Sequence, residues 1–448
     1  MLSEKVIILE SGKCAWGKCI FCSFGKKDAG PADVNYLKHR IDRGLDGGTV
    51  HTLKFFNSGS FLDKNQVPTE AQDYLFKKCN VSGVKELIVE CRPEFLSEET
   101  LWELKKRTGL LRLTFALGLE VADDRVLEKI QKGMTLDKYE RAAKLLKKFG
   151  FGVRTYLMAN LPFVKDVRGS LDRSVKYALK FSDSVAIINA FAYGYSGLFK
   201  MWLDGDWRPL DKKQFDDLVK KYRKNAKIDI YFDDYITYPK FPENMQEKLD
   251  GVGEKYLLHP HFDVWQDYIC RFYEIPEGKK YALFLPCSFR KPYSSSRTHK
   301  NIIARISGIR QYPLIHQVMI SNPGVIPREF ESKYPFAHYD WKEWLETPEI
   351  KKQYIEVTQK RIENYLKTHK YKKVFAYMKP TSESFIALKN ACKALKMRLI
   401  YCVDEKLFDG LKTEGHDALI SEDESKGENI LANRKMLDNL ADALVREL

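Results

Sequence analysis

Ser11-Gly-Lys-Cys14-Ala-Trp-Gly-Lys-Cys19-Ile-Phe-Cys22-Ser-Phe-Gly-Lys26 places three cysteines in one short Gly/Lys/aromatic loop, spaced C-x4-C-x2-C. The apolar run before it, Val6-Ile-Ile-Leu9, reads as a strand. A loop at a strand end can turn several thiolates toward one point. No fourth cysteine or histidine lies nearby. A structural zinc normally takes four protein ligands in a tetrahedron. Three thiolates suit an iron–sulfur cluster with one iron left open. Cys14, Cys19 and Cys22 are therefore the expected metal ligands, and a substrate or cofactor is expected to complete the cluster.

Downstream of the loop come Thr52-Leu-Lys-Phe-Phe-Asn-Ser-Gly59, Lys85-Glu-Leu-Ile-Val-Glu-Cys91, Leu111-Arg-Leu-Thr-Phe-Ala-Leu-Gly-Leu-Glu120, Gly152-Val-Arg-Thr-Tyr-Leu-Met158 and Ser184-Val-Ala-Ile-Ile-Asn189. Each is a short apolar run fit for a buried strand. Helical patterns alternate with them over 69–79, 97–107, 123–131, 136–149 and 169–181. About six strand–helix alternations argue a parallel α/β sheet curled into a full or partial barrel. Sites in such folds gather at the carboxyl ends of the strands. The cysteine loop, Gly59, Arg92 and Glu120 all fall at such ends.

The totals bound the rest. A chain of 448 residues holds about two or three domains. With 44% hydrophobic and 30% charged residues it packs as a globular protein. No apolar run approaches the ~18 residues that span a bilayer, and Met-Leu-Ser-Glu-Lys is no signal peptide. Nine cysteines, an odd number with three clustered, argue against a secreted disulfide framework. A soluble cytoplasmic protein with no membrane contact is expected. The net charge of +14 attracts phosphates, or reflects solvated surface lysines.

Residues 206–278 are less regular and aromatic, with Trp207, Tyr231, Phe232, Tyr235, Tyr238 and Trp265 following Trp202. They read as a packed connector or extension of the barrel, with base stacking between basic residues as the other possibility. A second alternation starts near Lys279: Tyr281-Ala-Leu-Phe-Leu285 as a strand, 301–311 as a helix, 314–320 as a strand and 341–368 as a long helix. Strand, helix and strand then follow over 374–378, 382–395 and 397–403, and 429–448 closes as a helix. Residues 279–448 are thus expected to form a second, layered α/β domain. Cys79, Cys91, Cys270, Cys392 and Cys402 sit in apolar or helical contexts and read as packing residues.

The cysteine loop and the repeated β/α units together resemble the radical S-adenosylmethionine (SAM) superfamily. Its usual spacing is C-x3-C-x2-C, so the first gap here is one residue longer. The resemblance implies a partial (β/α)6 barrel over 1–205 and a 4Fe–4S cluster on Cys14, Cys19 and Cys22. S-adenosylmethionine would chelate the open iron, and one electron from an external donor would cleave it to a 5′-deoxyadenosyl radical. The resemblance also implies that Gly59 and Ser60 contact the methionine amino group, that Glu120 accepts from the ribose hydroxyls, and that Arg154 pairs with the carboxylate.

Phe56-Asn-Ser-Gly-Ser-Phe-Leu-Asp63, Val89-Glu-Cys-Arg-Pro-Glu-Phe95 and Leu117-Gly-Leu-Glu-Val-Ala-Asp-Asp124 look like the radical enzymes of archaeosine formation and, more distantly, the Elongator-type radical proteins. The first family implies a lyase acting on tRNA that carries a lysine-adducted 7-cyano-7-deazaguanine. It cleaves a lysine C–N bond and leaves a formamidine.

Pro286-Cys-Ser-Phe-Arg-Lys-Pro-Tyr-Ser-Ser-Ser-Arg-Thr-His299 packs a thiol, hydroxyls, bases and an imidazole between a strand and a helix. It resembles the signature of archaeosine synthase, the lysine-adding enzyme, as do Val318-Met-Ile-Ser-Asn-Pro-Gly-Val-Ile-Pro-Arg-Glu329 and Tyr334-Pro-Phe-Ala-His-Tyr-Asp340. The full transglycosylase-like region and the PUA domain of that family are not recognisable. The chemistry of adding an amine to a nitrile suggests Cys287 as the first nucleophile, Lys291, Tyr293 or His299 as proton relays, and Ser288, Ser294 and Asp340 as positioning groups. A docking role without catalysis is the bland reading of the same stretch. A 7-deazaguanine-containing tRNA and a PUA-containing archaeosine synthase subunit are the expected partners. The competing readings are an Elongator- or methylthiotransferase-type radical enzyme on another RNA base, or a zinc-stabilised RNA-binding protein.

Overall fold

The computed structural model describes residues 3–9, 11–23, 30, 32–47, 50–57, 59–232, 238–413 and 429–448. Residues 24–26 of the cysteine loop, Ser58 and Tyr235 lie outside them. The chain forms two compact units, Met1–Ile236 and Thr237–Leu448.

In the first unit, β1 (Glu4–Ile8), β2 (Thr52–Phe56), β3 (Glu86–Cys91), β4 (Arg112–Glu120), β5 (Gly152–Ala159), β6 (Ser184–Asn189) and β7 (Ile228–Tyr231) pair in chain order, all parallel. Amphipathic helices cover the outer face. Leu136–Lys148 buries Tyr139, Ala142, Ala143 and Leu146, and Thr69–Val81 buries Leu75, Phe76 and Cys79. Ser97, Thr135 and Asp166 each start a helix by accepting a backbone N–H of the first turn. On the inner face, strands that are not neighbours meet. The rings of Phe56 on β2 and Tyr156 on β5 lie 6.2 Å apart, and Lys54 Nζ donates to the Tyr231 hydroxyl of β7 at 2.9 Å. In a flat sheet β2 and β7 would stand five spacings, ~24 Å, apart. The sheet is therefore curled into a half-barrel.

The second unit is built on β9 (Tyr281–Leu285), the centre of a five-stranded sheet ordered β11-β10-β9-β13-β14. Here β10 is Ile315–Ser321, β11 is Gly324–Pro327, β13 is Lys373–Ala376 and β14 is Leu399–Tyr401. Both neighbours of β9 run parallel to it, and β11 is antiparallel to β10. The chain leaves β9 toward β10 on one side and returns to β13 on the other, so strand order reverses at β9. A separate parallel pair joins β8 (Leu249–Gly251) to β12 (Tyr339–Trp341).

Two sequence expectations change. The stretch 206–278, expected as connector or extension of the barrel, is divided between the units: Ile228–Tyr231 extends the first sheet to a seventh strand, whereas β8 and the helix Pro260–Arg271 belong to the second unit. Its tryptophans 207 and 265, like Trp202 just before it, are buried, so they pack rather than present faces to bases. Arg361 explains the second attachment. Its buried guanidinium donates to the carbonyls of Asn322 and Leu257 and to Asp263, pinning this stretch to the helix Pro348–Thr368. The long helix also starts later than expected. Thr347 caps Ile350 N–H and Pro348 fills the first turn, which frees 339–341 for β12. No helix among the described residues is long and apolar enough to cross a membrane.

Candidate functional site

The cysteine loop follows β1 at the carboxyl end of the first sheet, as the sequence places it. Cys19 is buried, and Cys14 and Cys22 are half-exposed thiols. The loop is held by segments distant in sequence. Ser11 Oγ donates to the Gln66 carbonyl (2.7 Å), Ile20 N–H to Ile130 (3.1 Å), and Leu198 N–H to the Ile20 carbonyl (3.2 Å). Between Cys14 and Cys19, the Trp16 indole donates to the Gln131 carbonyl at 2.7 Å. The ring rests on Gly133, whose φ is +68°. A Cβ there would stand 2.4 Å from the ring, so both the backbone and the packing require glycine. A cleft of about 510 Å³ opens beside Trp16, floored by Pro93, Leu96 and Met134 and rimmed by Lys138 and Arg141.

Among the described residues, Glu247, His259 and His261 bring three metal-ligating atoms within 4.8 Å of one another. In the Glu247 cluster both Nδ1 atoms are engaged: His259 accepts from His261 N–H (3.3 Å), and His261 faces the Tyr334 hydroxyl (2.7 Å).

The charge around the loop suits an anionic cluster. Burial pushes the Cys19 thiol up, while Lys132 and Arg92 beside it pull the other way. Burial opposes the charge on Lys132, but Glu120 and Cys19 outweigh it, and the amine stays above its ordinary value. Lys132 Nζ bonds Glu120 at 2.7 Å, with both side chains about nine-tenths buried. Glu120 closes β4 at φ +69°, a conformation costly for a residue with a Cβ, next to the sheet irregularity at Gly118. A Cβ on Gly118 would stand 2.4 Å from Glu120 Oε1, so the missing side chain leaves room for that carboxylate.

At the end of β2, Gly59 lies under the Gln66 amide, 2.1 Å from where its Cβ would be, and Ser60 N–H donates to Gln66 Oε1 at 2.8 Å. Asn57 is 2% exposed, yet neither polar atom of its side chain has a partner among the described residues. Buried amides are normally satisfied, and an orphan at a strand's carboxyl end fits a site shaped for a ligand. Gly59, Ser60 and Glu120 therefore stand at the cysteine end of the sheet. Arg154 does not. It is the third residue of β5, near the amino ends, and its two terminal nitrogens bond Asp229 (2.7 Å), Ser184 (3.2 Å) and Tyr231 (3.3 Å). The expected pairing of Arg154 with a cofactor carboxylate is withdrawn on that geometry. Lys132, Trp16 and Gln66 were missed because no local pattern links them to residues 14–22.

In the second unit, Cys287 sits just past the carboxyl end of β9, where strand order reverses. Open α/β sheets bind ligands at such a reversal. Burial, with Glu343 adding, pushes the Cys287 thiol up to about 11, against Lys291. Burial lowers the Lys291 amine, opposed by Cys287, Asp340 and Asp250. Lys291 Nζ lies 4.3 Å from the Tyr339 ring centroid. Tyr293 is fully buried and shares a hydrogen bond with the Tyr339 hydroxyl. Asp340 Oδ2 accepts from Lys342. His299 is different. Its Nε2–H donates to the Pro286 carbonyl (3.0 Å), and its Nδ1 accepts from Arg328 (3.0 Å). Burial, with Arg328 adding, lowers it to about 3. Both ring nitrogens are committed, so His299 holds the Cys287 loop in place and is not set up as a proton relay.

Residues 11–168 match the family model of the radical SAM superfamily, and 263–412 match a domain of unknown function, DUF5591. The archaeosine synthase subunit beta of Methanosarcina acetivorans is 28% identical over 214 residues, 45% of this chain and 62% of that protein. The archaeosine synthase subunit alpha of Thermoplasma acidophilum is 32% identical over 134 residues, 29% of this chain and 24% of that protein. Elp3 of the archaeon Methanocaldococcus infernus, solved with an N-terminal deletion, is 16% identical with a TM-score of 0.39, covering 58% of this chain and 68% of that one. The chain spans less than two thirds of the length of the curated relatives it matches. It carries a radical SAM domain followed by a DUF5591 domain. The radical SAM domain over residues 11–168 supports a 4Fe–4S cluster and S-adenosylmethionine as cofactors.

Proposed function

From a radical SAM domain joined to a DUF5591 domain, we propose that the chain works in archaeosine biosynthesis, as a lyase on tRNA carrying a lysine-adducted 7-cyano-7-deazaguanine. The carrying observation is the pairing on one chain of the cysteine loop with a Cys287 site at the strand reversal of a second domain, alongside separate likenesses to archaeosine synthase beta and alpha subunits. Cys14, Cys19 and Cys22 would hold the cluster. When bound, cluster and S-adenosylmethionine, given one electron by an external donor, supply a carbon-centred oxidant able to take hydrogen from an unactivated lysine methylene. Lys132 and Arg92 offset the negative charge of the site, and Glu120, Gly59 and Ser60 line the end where the cofactor binds. With that hydrogen gone, the neighbouring lysine C–N bond breaks: the lysine carbons would leave as an alkene, and the nitrogen, taking one more electron from the external donor and a proton, would stay on the base as the formamidine.

The second unit would add the lysine or dock the base. The resting Cys287 thiol is un-ionised at neutral pH and needs a base, and the lowered Lys291 amine is its neighbour. Sulfur then bonds to the nitrile carbon as the nitrile nitrogen gains a proton. The incoming amine forms the C–N bond, the C–S bond breaks, and the thiol recovers its proton. No oxidant is required. The tRNA and a PUA-containing archaeosine synthase subunit are the proposed partners. The test is anaerobic incubation of reconstituted protein with S-adenosylmethionine, reductant and lysine-modified tRNA. Mass spectrometry should find 5′-deoxyadenosine and the formamidine base together. Production of 5′-deoxyadenosine with no formamidine base would overturn the lyase reading.

A further inference from the structure

Residues 286–294 carry both Cys287 and Lys291, and both ends of this segment are tied to one side chain, Arg328, which follows β11. At the near end, Arg328 Nη2 donates to His299 Nδ1 at 3.0 Å. A guanidinium only donates, so Nδ1 must accept and the ring proton must sit on Nε2. That is the tautomer in which His299 donates to the Pro286 carbonyl, the peptide that joins Cys287, at 3.0 Å. At the far end, Arg328 Nη1 bonds Glu331 Oε2 at 2.7 Å, and the same oxygen accepts the Ser294 N–H at 3.0 Å. The guanidinium is itself fixed to the sheet, since Nη2 also donates to Gln317 Oε1 of β10 at 2.7 Å. His299 is fully buried, and the Arg328 and Glu331 side chains are 18% and 10% exposed. Arg328 Nε is buried with no partner among the described residues. A buried ion pair that leaves a donor unsatisfied is a poor source of stability. What this one supplies is a fixed span between β10 and two points of the Cys287 loop.

We propose that Arg328 is a positioning residue for the chemistry at Cys287: through His299 and Glu331 it sets the separation of the Cys287 thiol and the Lys291 amine. This rests on reading Cys287 as the nucleophile and Lys291 as its base. A thiol that starts un-ionised needs that amine within reach, and a displacement of about 1 Å costs on the order of a hundredfold in rate. Lysine cannot stand in for Arg328, because one ammonium group cannot reach His299, Gln317 and Glu331 as the fork of a guanidinium does.

The experiment uses the full chain. Alkylation of Cys287 by iodoacetamide is followed against pH by peptide mass spectrometry, which separates this thiol from the other cysteines. The proteins are wild type, Lys291→Met, Arg328→Lys and the double variant. Lys291 pulls the thiol down against burial, Glu343 and Asp340, so Lys291→Met is expected to move the profile to higher pH. In the Arg328→Lys background, where the amine is no longer held at the thiol, the same change is expected to move it much less. A general loss of stability would not remove that coupling. With tRNA bearing the nitrile base, Arg328→Lys is expected to lower kcat for lysine transfer about a hundredfold and to leave the lysine KM within about twofold. Near-UV circular dichroism reports folding, and Glu331→Ala, which cuts the Ser294 tie, carries the same cycle if Arg328→Lys does not fold. An equal shift by Lys291→Met in both backgrounds, while Cys287→Ser is inactive, overturns the Arg328 assignment alone. Undiminished lysine transfer by Cys287→Ser overturns the nucleophile reading and the assignment with it.

Discussion

Gly133→Ala tests whether the cysteine loop takes its shape from outside itself. At φ +68° a side chain costs about 1–2 kcal/mol. The added methyl would also stand 2.4 Å from Cζ2 of Trp16. The ring cannot retreat without breaking its 2.7 Å bond to the Gln131 carbonyl, and overpacking of this kind costs ~1–3 kcal/mol. The substitution should therefore cost ~2–5 kcal/mol in all. The strain falls on the segment between Cys14 and Cys19, so iron and sulfide bound after anaerobic reconstitution should drop as well. Trp16→Leu separates the two parts. In that background Gly133→Ala meets no ring and keeps only the backbone cost, so the pair should depart from additivity by ~1–3 kcal/mol. Urea unfolding of the metal-free protein measures the energies, and iron analysis measures the site. Strict additivity, or full iron loading of Gly133→Ala, would refute the idea that Trp16 is wedged against this glycine.

Two further outcomes follow from the electrostatics. His299 is neutral in the fold, lowered to about 3 by burial and Arg328, while an unfolded histidine titrates near pH 6.5. Only the unfolded chain gains this proton between those values, so its contribution is intact above about pH 6.5 and falls by ~1.4 kcal/mol per pH unit below it. Urea midpoints at several pH values should show that slope in the wild type and lose it in His299→Gln. In the first unit, Arg154→Met should leave the Kd for S-adenosylmethionine of the reconstituted protein unchanged, whereas Glu120→Ala should weaken it about tenfold. Calorimetric titration of both decides whether Arg154 is remote from the cofactor.

The strands of the first unit were legible because five or six consecutive apolar residues between helical patterns have few other uses. β6 and β9 fall where their sequences place them. The seventh strand was hidden. Ile228-Asp-Ile-Tyr231 is four residues long with one polar face, set among aromatics that looked like packing. Arg154 was misplaced because composition identifies a strand without saying which end of it faces a ligand. Counting from Gly152, where β5 starts, would have put it at the wrong end. For His299, residue type alone suggested proton transfer. The partners of its two nitrogens, Pro286 and Arg328, are fixed only by the fold. Lys132 is an ordinary charged residue in sequence, and it became informative only through Glu120 and Cys19, which it faces.

The Trp16, Ser11 and Ile20 anchors reach the three-cysteine segment from Gln131, Gln66, Ile130 and Leu198. None of these belongs to the segment, and the last lies beyond β6. A nascent chain therefore has no mould for iron until most of the half-barrel has been laid down. Metal should arrive late, into a finished receptacle, and chelating it away should leave the polypeptide standing. Maturation would then be a loading step and not a folding step.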